Sequence, residues 1–129
     1  MSYIVIDQGT SSTKAFLFSD KGEILYKKKV KCRLERPKPF HIECNPKTIL
    51  DDIVYLFNEM VTGEKSENIH GMGFAFQRST FLFWEKSTCI PLTPAISWQD
   101  SRATVILDRF KKYEEKVWNI TGAPLSAHF

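Results

Sequence analysis

The chain has little of what would mark a secreted, metal-bound or membrane-spanning protein. It holds three cysteines, Cys32, Cys44 and Cys89, with no C-x-x-C pair. An odd number cannot all pair, so a disulfide scaffold is not expected and a reducing cytosol fits the sequence. His41, His70 and His128 are scattered, without the spacing that gathers zinc ligands. No apolar run approaches the ~20 residues of a membrane span, and a strand-like segment starts at Tyr3, where a signal peptide would lie. These features lead us to expect a cytoplasmic protein without a membrane partner. Charge of one sign is also lacking: 18 basic residues face 15 acidic ones, for a net +3. That balance argues against a nucleic-acid partner. The densest basic run, Lys27-Lys28-Lys29 with Lys31, lies in an alternating segment and reads as a solvated strand face.

What the chain does have is apolar and aromatic weight. Of its 129 residues 43% are hydrophobic, and ten Phe, four Tyr and three Trp are among them. Disorder is excluded. The length suits one small domain that buries about two-thirds of its unfolded surface. The Met and Phe residues are read as packing.

The order of local signals is that of an α/β protein, with no internal repeat. Tyr3–Ile6, Ala15–Phe18 and Glu23–Cys32 read as three consecutive antiparallel strands, with Asp20-Lys21-Gly22 as a turn. After a proline-rich loop at 36–39, Asn45 is suited to cap a helix and Pro46 to open it. Ile49, Leu50, Ile53, Val54, Leu56, Phe57, Met60 and Val61 recur at helical spacing, and Gly63 is placed to end the run. His70–Phe76 is short, apolar and glycine-bearing, which predicts a buried strand closely approached by another backbone. Thr80–Trp84 and Ala95–Trp98 read as further strands. Val105, Ile106, Phe110, Tyr113 and Val117 predict a second helix, capped by Asp100 or Ser101 and closed by Gly122. Its run Lys111–Lys116 reads as an exposed face. The first helix then serves as a crossover that makes the next strand parallel to one already placed, giving a mixed sheet.

Three constellations carry chemistry. Asp7-Gln8-Gly9-Thr10-Ser11-Ser12-Thr13-Lys14 sets a carboxylate at a strand end before a glycine turn, hydroxyls and a cation. Backbone N–H groups of such a turn cradle phosphate oxygens, and a carboxylate suits Mg²⁺, directly or through water. This is not the Walker spacing, and the same residue types also make an ordinary polar hairpin turn. Gln77-Arg78-Ser79-Thr80 follows a strand, where α/β sheets place ligand-facing residues. Arg78 offers a fork for hydroxyls or carboxylates, or is a surface arginine. Trp98-Gln99-Asp100-Ser101-Arg102 joins an aromatic face to an amide, an acid and a cation. That suits a polyol, and it equally suits a core Trp ahead of a capped helix.

In order, these segments resemble the start of the FGGY family of carbohydrate kinases, and within it the glycerol kinases. Tyr3–Ala15 (YIVIDQGTSSTKA) resembles the family's phosphate loop, and Phe76–Arg102 its second signature. Glu43–Leu50 resembles its acid–Asn–Pro–helix pattern, and Thr121–Phe129 the segment after the second signature. The resemblance spans essentially the whole chain. It implies an actin-like, ribonuclease-H-like ATPase domain, here incomplete, that transfers the γ-phosphoryl of ATP to a sugar or polyol hydroxyl with Mg²⁺. It assigns Asp7 to Mg²⁺, and Gly9, Thr10, Ser11, Ser12 and Lys14 to phosphates. Gln77, Arg78, Trp98 and His128 line the substrate site, with Asp100 and Arg102 in support. Lys14 stands where glycerol kinases usually carry arginine, Ser79 where they carry a glutamate and His128 where they carry a tyrosine, which leaves the sugar or polyol open.

The resemblance also implies that residues 1–129 are the N-terminal part of the first kinase domain. The general base and the second domain would then lie beyond Phe129, and the chain alone would have little or no kinase activity. An uncovered sheet edge is expected, and with it self-association into a homo-oligomer or pairing with the remaining kinase domains on a complementary chain. The alternatives are a stand-alone nucleotide- or partner-binding module and an inactive truncated half.

Overall fold

The computed structural model describes residues 1–62 and 68–127. The role expected of Gly63 falls outside them. Where the length suggested one small domain, the residues divide into two compact units, Met1–Arg33 with Cys44–Arg78, and Leu34–Glu43 with Ser79–Phe129.

The first unit is built on β1 (Ser2–Gln8), β2 (Ser12–Ser19) and β3 (Ile24–Lys31). A helix, α1 (Pro46–Val61), and a further strand, here β5 (Ile69–Phe76), complete it; the two-residue β4 (Glu43–Cys44) precedes α1. The sheet order is β3-β2-β1-β5. β1, β2 and β3 are antiparallel neighbours, while β5 runs parallel to β1 in register from Tyr3–Gly71 to Gln8–Phe76. This is the expected mixed sheet, with α1 as the crossover between its parallel strands.

Alternation decides what is buried. Ile4 and Ile6 of β1 and Ala15 and Leu17 of β2 lie on one face, and they form the core with Leu56 and Met60 of α1. The Asn45 side chain accepts a hydrogen bond from the Lys47 N–H at 2.9 Å, and Pro46 opens the helix. The apolar stripe of α1 is wider than the sheet it covers: Leu50 and Val54 stay exposed. The lysine run divides because successive strand residues face opposite ways. Lys27, Lys29 and Lys31 are exposed, but Lys28 turns to the helix, paired with Glu59 and lying over the Tyr55 ring. The hydrogen bonds to Glu59 and Tyr55 hold the Lys28 ammonium well above its usual range.

β5 departs from expectation. Only its β1 side is paired among the described residues, so Met72, Phe74 and Phe76 are exposed rather than buried. No backbone crowds its glycines: a Cβ on Gly71 would meet only the Tyr3 ring, at 3.6 Å, and one on Gly73 would meet nothing within 4 Å. Phe74 and Phe76 stack on each other, with ring centres 5.5 Å apart.

In the second unit Thr80–Trp84 is not a strand. Isolated bridges join Phe81 to Ile96 and Trp84 to Pro91, and Pro91 and Pro94, lacking N–H groups, interrupt any ladder. The strand expected at Ala95–Trp98 is shortened to β6 (Ala95–Ile96), which pairs with β4. The expected second helix is broken into α2 (Thr104–Leu107), a 3-10 segment (Asp108–Tyr113) and α3 (Glu114–Thr121). Val105, Phe110, Tyr113 and Trp118 are exposed, so no packed face holds one continuous helix. The N-cap of α2 is Ala103, without a capping side chain, and Gly122 closes α3 in the left-handed conformation. Phe40, Phe81 and Phe83 are exposed too, so the reading of every Phe as packing does not hold.

Leu56 is fully buried between helix and sheet. Leu56→Ala should cost about 3 kcal/mol of stability in urea unfolding, whereas Leu50→Ala on the exposed flank should stay within about 0.5 kcal/mol.

Candidate functional site

The parallel pairing brings the C-terminal ends of β1 and β5 to one place, and the β1–β2 turn lies there. Gly9 N–H donates to the Ser12 carbonyl at 3.1 Å. A Cβ on Gly9 would press within 3.2 Å of that same oxygen, so the closeness of the turn calls for glycine. Asp7 and Lys14 face each other across β1 and β2. Lys14 Nζ lies 3.3 Å from Asp7 Oδ2, and the two side chains are 43% and 40% exposed. Thr10, Ser11 and Ser12 place their hydroxyl-bearing side chains along the same turn.

Gln77 extends this cluster from the end of β5. Its Nε2 donates to Gln8 Oε1 and its Oε1 accepts from Thr10 Oγ1, each at 3.1 Å. Gln8 Nε2 donates in turn to the Gly9 carbonyl at 3.1 Å. Both ends of the Gln77 side chain therefore brace the turn. Arg78, the next residue, is exposed and makes no hydrogen bond or ion pair among the described residues.

Asp100 and Arg102 meet in the second unit. Asp100 is buried. Its carboxylate accepts from the Ile42 N–H at 2.7 Å, from the Arg102 N–H at 2.9 Å, and from Arg102 Nε and Nη2 at 2.9 and 2.8 Å. Arg102 also grips Glu43. Burial by itself would raise the Asp100 pKa. The Arg102 side-chain hydrogen bonds, the N–H groups of Arg102 and Ile42 and the Arg102 charge outweigh it and hold the carboxyl down to about 2. Asp100 thus spends its oxygens on residues 42 and 102 rather than on capping a helix. Trp98 is 43% exposed, and its backbone N–H donates to Thr80 Oγ1 at 3.1 Å.

The first unit therefore gathers Asp7, Gly9, Thr10, Ser11, Ser12, Lys14, Gln77 and Arg78, and the second holds Trp98, Asp100 and Arg102. His128 lies outside the described residues. Sequence reasoning gave no site role to Gln8 or Cys32 beside the turn or to Glu43 on Arg102. These are links between residues far apart in sequence, and no local pattern announces them.

The donor set fits a magnesium-bound phosphate chain. It offers one half-exposed carboxylate, a glycine turn that would crowd a Cβ, and hydroxyls and a cation at its rim. Mg²⁺ asks for few protein ligands when phosphates and waters supply the rest.

Residues 2–129 match the N-terminal domain of the FGGY family of carbohydrate kinases, and the chain belongs to that family. A glycerol kinase from Bacillus cereus is 35% identical over 128 residues, covering 96% of this chain and 26% of its own length. Glycerol kinase from Plasmodium falciparum, solved with ADP, superposes with a TM-score of 0.92 at 27% identity, covering 99% of this chain and 26% of that one. A ligand-bound xylulose kinase from Lactobacillus acidophilus shares the fold, with a TM-score of 0.88 at 22% identity, covering 98% of this chain and 26% of that one. The chain spans about a quarter of the length of the curated relatives it matches.

Arg102→Met should strand the buried Asp100 carboxylate and cost about 3 kcal/mol in chemical unfolding. The folded Asp100 carboxyl titrates below its ordinary 3.8, so its stabilisation is whole above that value and is lost as pH falls through about 2. Thermal melts between pH 5 and pH 2 should show this acid limb, and Asp100→Asn should flatten it.

Proposed function

We propose that this chain supplies the N-terminal part of the first domain of a cytoplasmic kinase that moves the γ-phosphoryl of ATP to a hydroxyl of a sugar or polyol, glycerol or a related carbohydrate. The observation that carries the reading is the Gly9–Ser12 turn at the shared end of parallel β1 and β5, flanked by the Asp7–Lys14 pair. Family membership and the likeness to glycerol kinases support it.

When bound, magnesium and ATP supply the transferable phosphoryl group and the cation that offsets its charge. The chain's own part is to bind and orient. The close turn that Gly9 allows presents the amides of Thr10, Ser11 and Ser12 and the hydroxyls of Ser11 and Ser12 to phosphate oxygens, and Lys14 neutralises part of their charge. Asp7 holds the hydrated cation. Gln77 keeps the turn in place from β5. Arg78 reaches sugar hydroxyls with a side chain that has no partner among the described residues to give up, and Trp98 offers a ring face to C–H groups. Asp100 and Arg102 hold the segment that carries Trp98, and the resemblance assigns His128 to the substrate. None of these residues is the general base. That group and the adenine-holding domain belong to the remaining sequence of such a kinase.

That remaining sequence is also the partner the exposed strand calls for. β5 offers one edge that is unpaired among the described residues and the apolar side chains Met72, Phe74 and Phe76, and such an edge takes up a further strand. A homo-oligomer formed through the same edge is the alternative, and light scattering of the isolated chain separates the two.

Coupled assays over a panel of sugars and polyols test the reading. Asp7→Ala in the full kinase should lower kcat at least about a hundredfold. Arg78→Ala should raise the sugar KM about tenfold while leaving the ATP KM within about twofold. The isolated chain should bind Mg-ATP only at about millimolar concentration or weaker, having half a cleft. An unchanged sugar KM in Arg78→Ala would remove that residue from the site.

A further inference from the structure

Cys32 lies just past the end of β3, outside every motif described above, yet it touches the Gly9–Ser12 turn twice. Its backbone N–H donates to the Ser11 carbonyl at 3.0 Å. Its thiol donates to the Gly9 carbonyl at 3.3 Å. The Thr13 hydroxyl lies 3.6 Å from the same sulfur, and Thr13 is fully buried. Thr13 O–H to sulfur, then S–H to the Gly9 oxygen, makes one consistent donor chain, and Gln8 Nε2 occupies the second lone pair of that oxygen.

The peptide bond converts these contacts into an orientation. The peptides among the described residues are all trans, and in a planar trans peptide the C=O of one residue and the N–H of the next point in opposite directions. Pinning the Gly9 carbonyl toward Cys32 turns the Thr10 N–H to the opposite side. Pinning the Ser11 carbonyl does the same for the Ser12 N–H. A turn that binds phosphate through amides needs its carbonyls, which repel phosphate, turned away. Cys32 meets two of them, from a strand that is not otherwise part of the turn.

We propose that Cys32 is a positioning residue for the phosphate-binding turn: through its thiol and its N–H it fixes the Gly9 and Ser11 carbonyls so that the following amides face the nucleotide phosphates. This rests on the ATP-dependent reading above. It assigns the thiol no redox or catalytic step.

The test compares Cys32→Val, of similar size but without a donor, with Cys32→Ser, which keeps one, in the full kinase. The Val variant should raise the ATP KM about fivefold and leave the sugar KM within about twofold. The Ser variant should restore most of the ATP affinity. Titration calorimetry with Mg-ATP on the unmodified protein separates the two ideas: no binding there sinks the kinase reading itself. Binding there, with Val and Ser variants that both match it, overturns the role of Cys32 alone. Equal losses of ATP and sugar affinity in the Val variant would also overturn it, as would a Ser variant no better than Val. Should Val prevent folding, Cys32→Ala against Cys32→Ser carries the same comparison, and circular dichroism identifies the folded variants.

Discussion

Parallel strands cannot be joined by a tight turn, so β1 and β5 meet only because a crossover of chain, including the 16 residues of α1, lies between them. Everything at the candidate site follows from that pairing. It sets Gln77 beside Gln8, and so lets a residue 67 positions away in sequence hold Thr10. It leaves Arg78 one residue beyond Gln77, exposed. The pairing is in turn held by what α1 buries. Leu56 and Met60 cover Ile4, Ile6, Ala15 and Leu17, and the Asn45–Pro46 start fixes where the helix begins. A core of six buried residues thus underlies the sheet that carries the turn.

Much of this was legible because it is local. Short apolar runs marked β1 and β2, β-branched and aromatic content marked β3, and the Asn45-Pro46 start and Gly122 stop were read from residue chemistry. The phosphate-loop residues were legible for the same reason, since glycine, hydroxyls, carboxylate and lysine lie within eight positions. What escaped depends on distant partners. His70–Phe76 reads as buried because its residues are apolar, but burial needs a neighbour, and only β1 provides one among the described residues. The helical period after Ser101 is real, yet without a surface to cover it gives three short segments. Cys32, Gln8 and Glu43 act across 23, 69 and 59 positions, distances at which sequence spacing carries no signal.

The two ion pairs among the candidate residues differ in the freedom they leave. Asp100 is buried and its oxygens are taken by two N–H groups and a guanidinium. Removing a partner from such a pair costs about 3–5 kcal/mol, so Asp100 and Arg102 cannot be lent to a ligand without loosening the segment that carries Trp98. Asp7 and Lys14 are each some two-fifths exposed and 3.3 Å apart. A pair so placed contributes at most about 1 kcal/mol. A bound cation can take the carboxylate and a phosphate the ammonium at little cost to the fold, and each then finds a partner of higher charge. The distinction is one of energy rather than residue type. It separates the residues able to face a ligand from those that hold the frame, and on the turn side it leaves Asp7, Lys14 and Arg78 as the groups whose charge the fold does not itself consume.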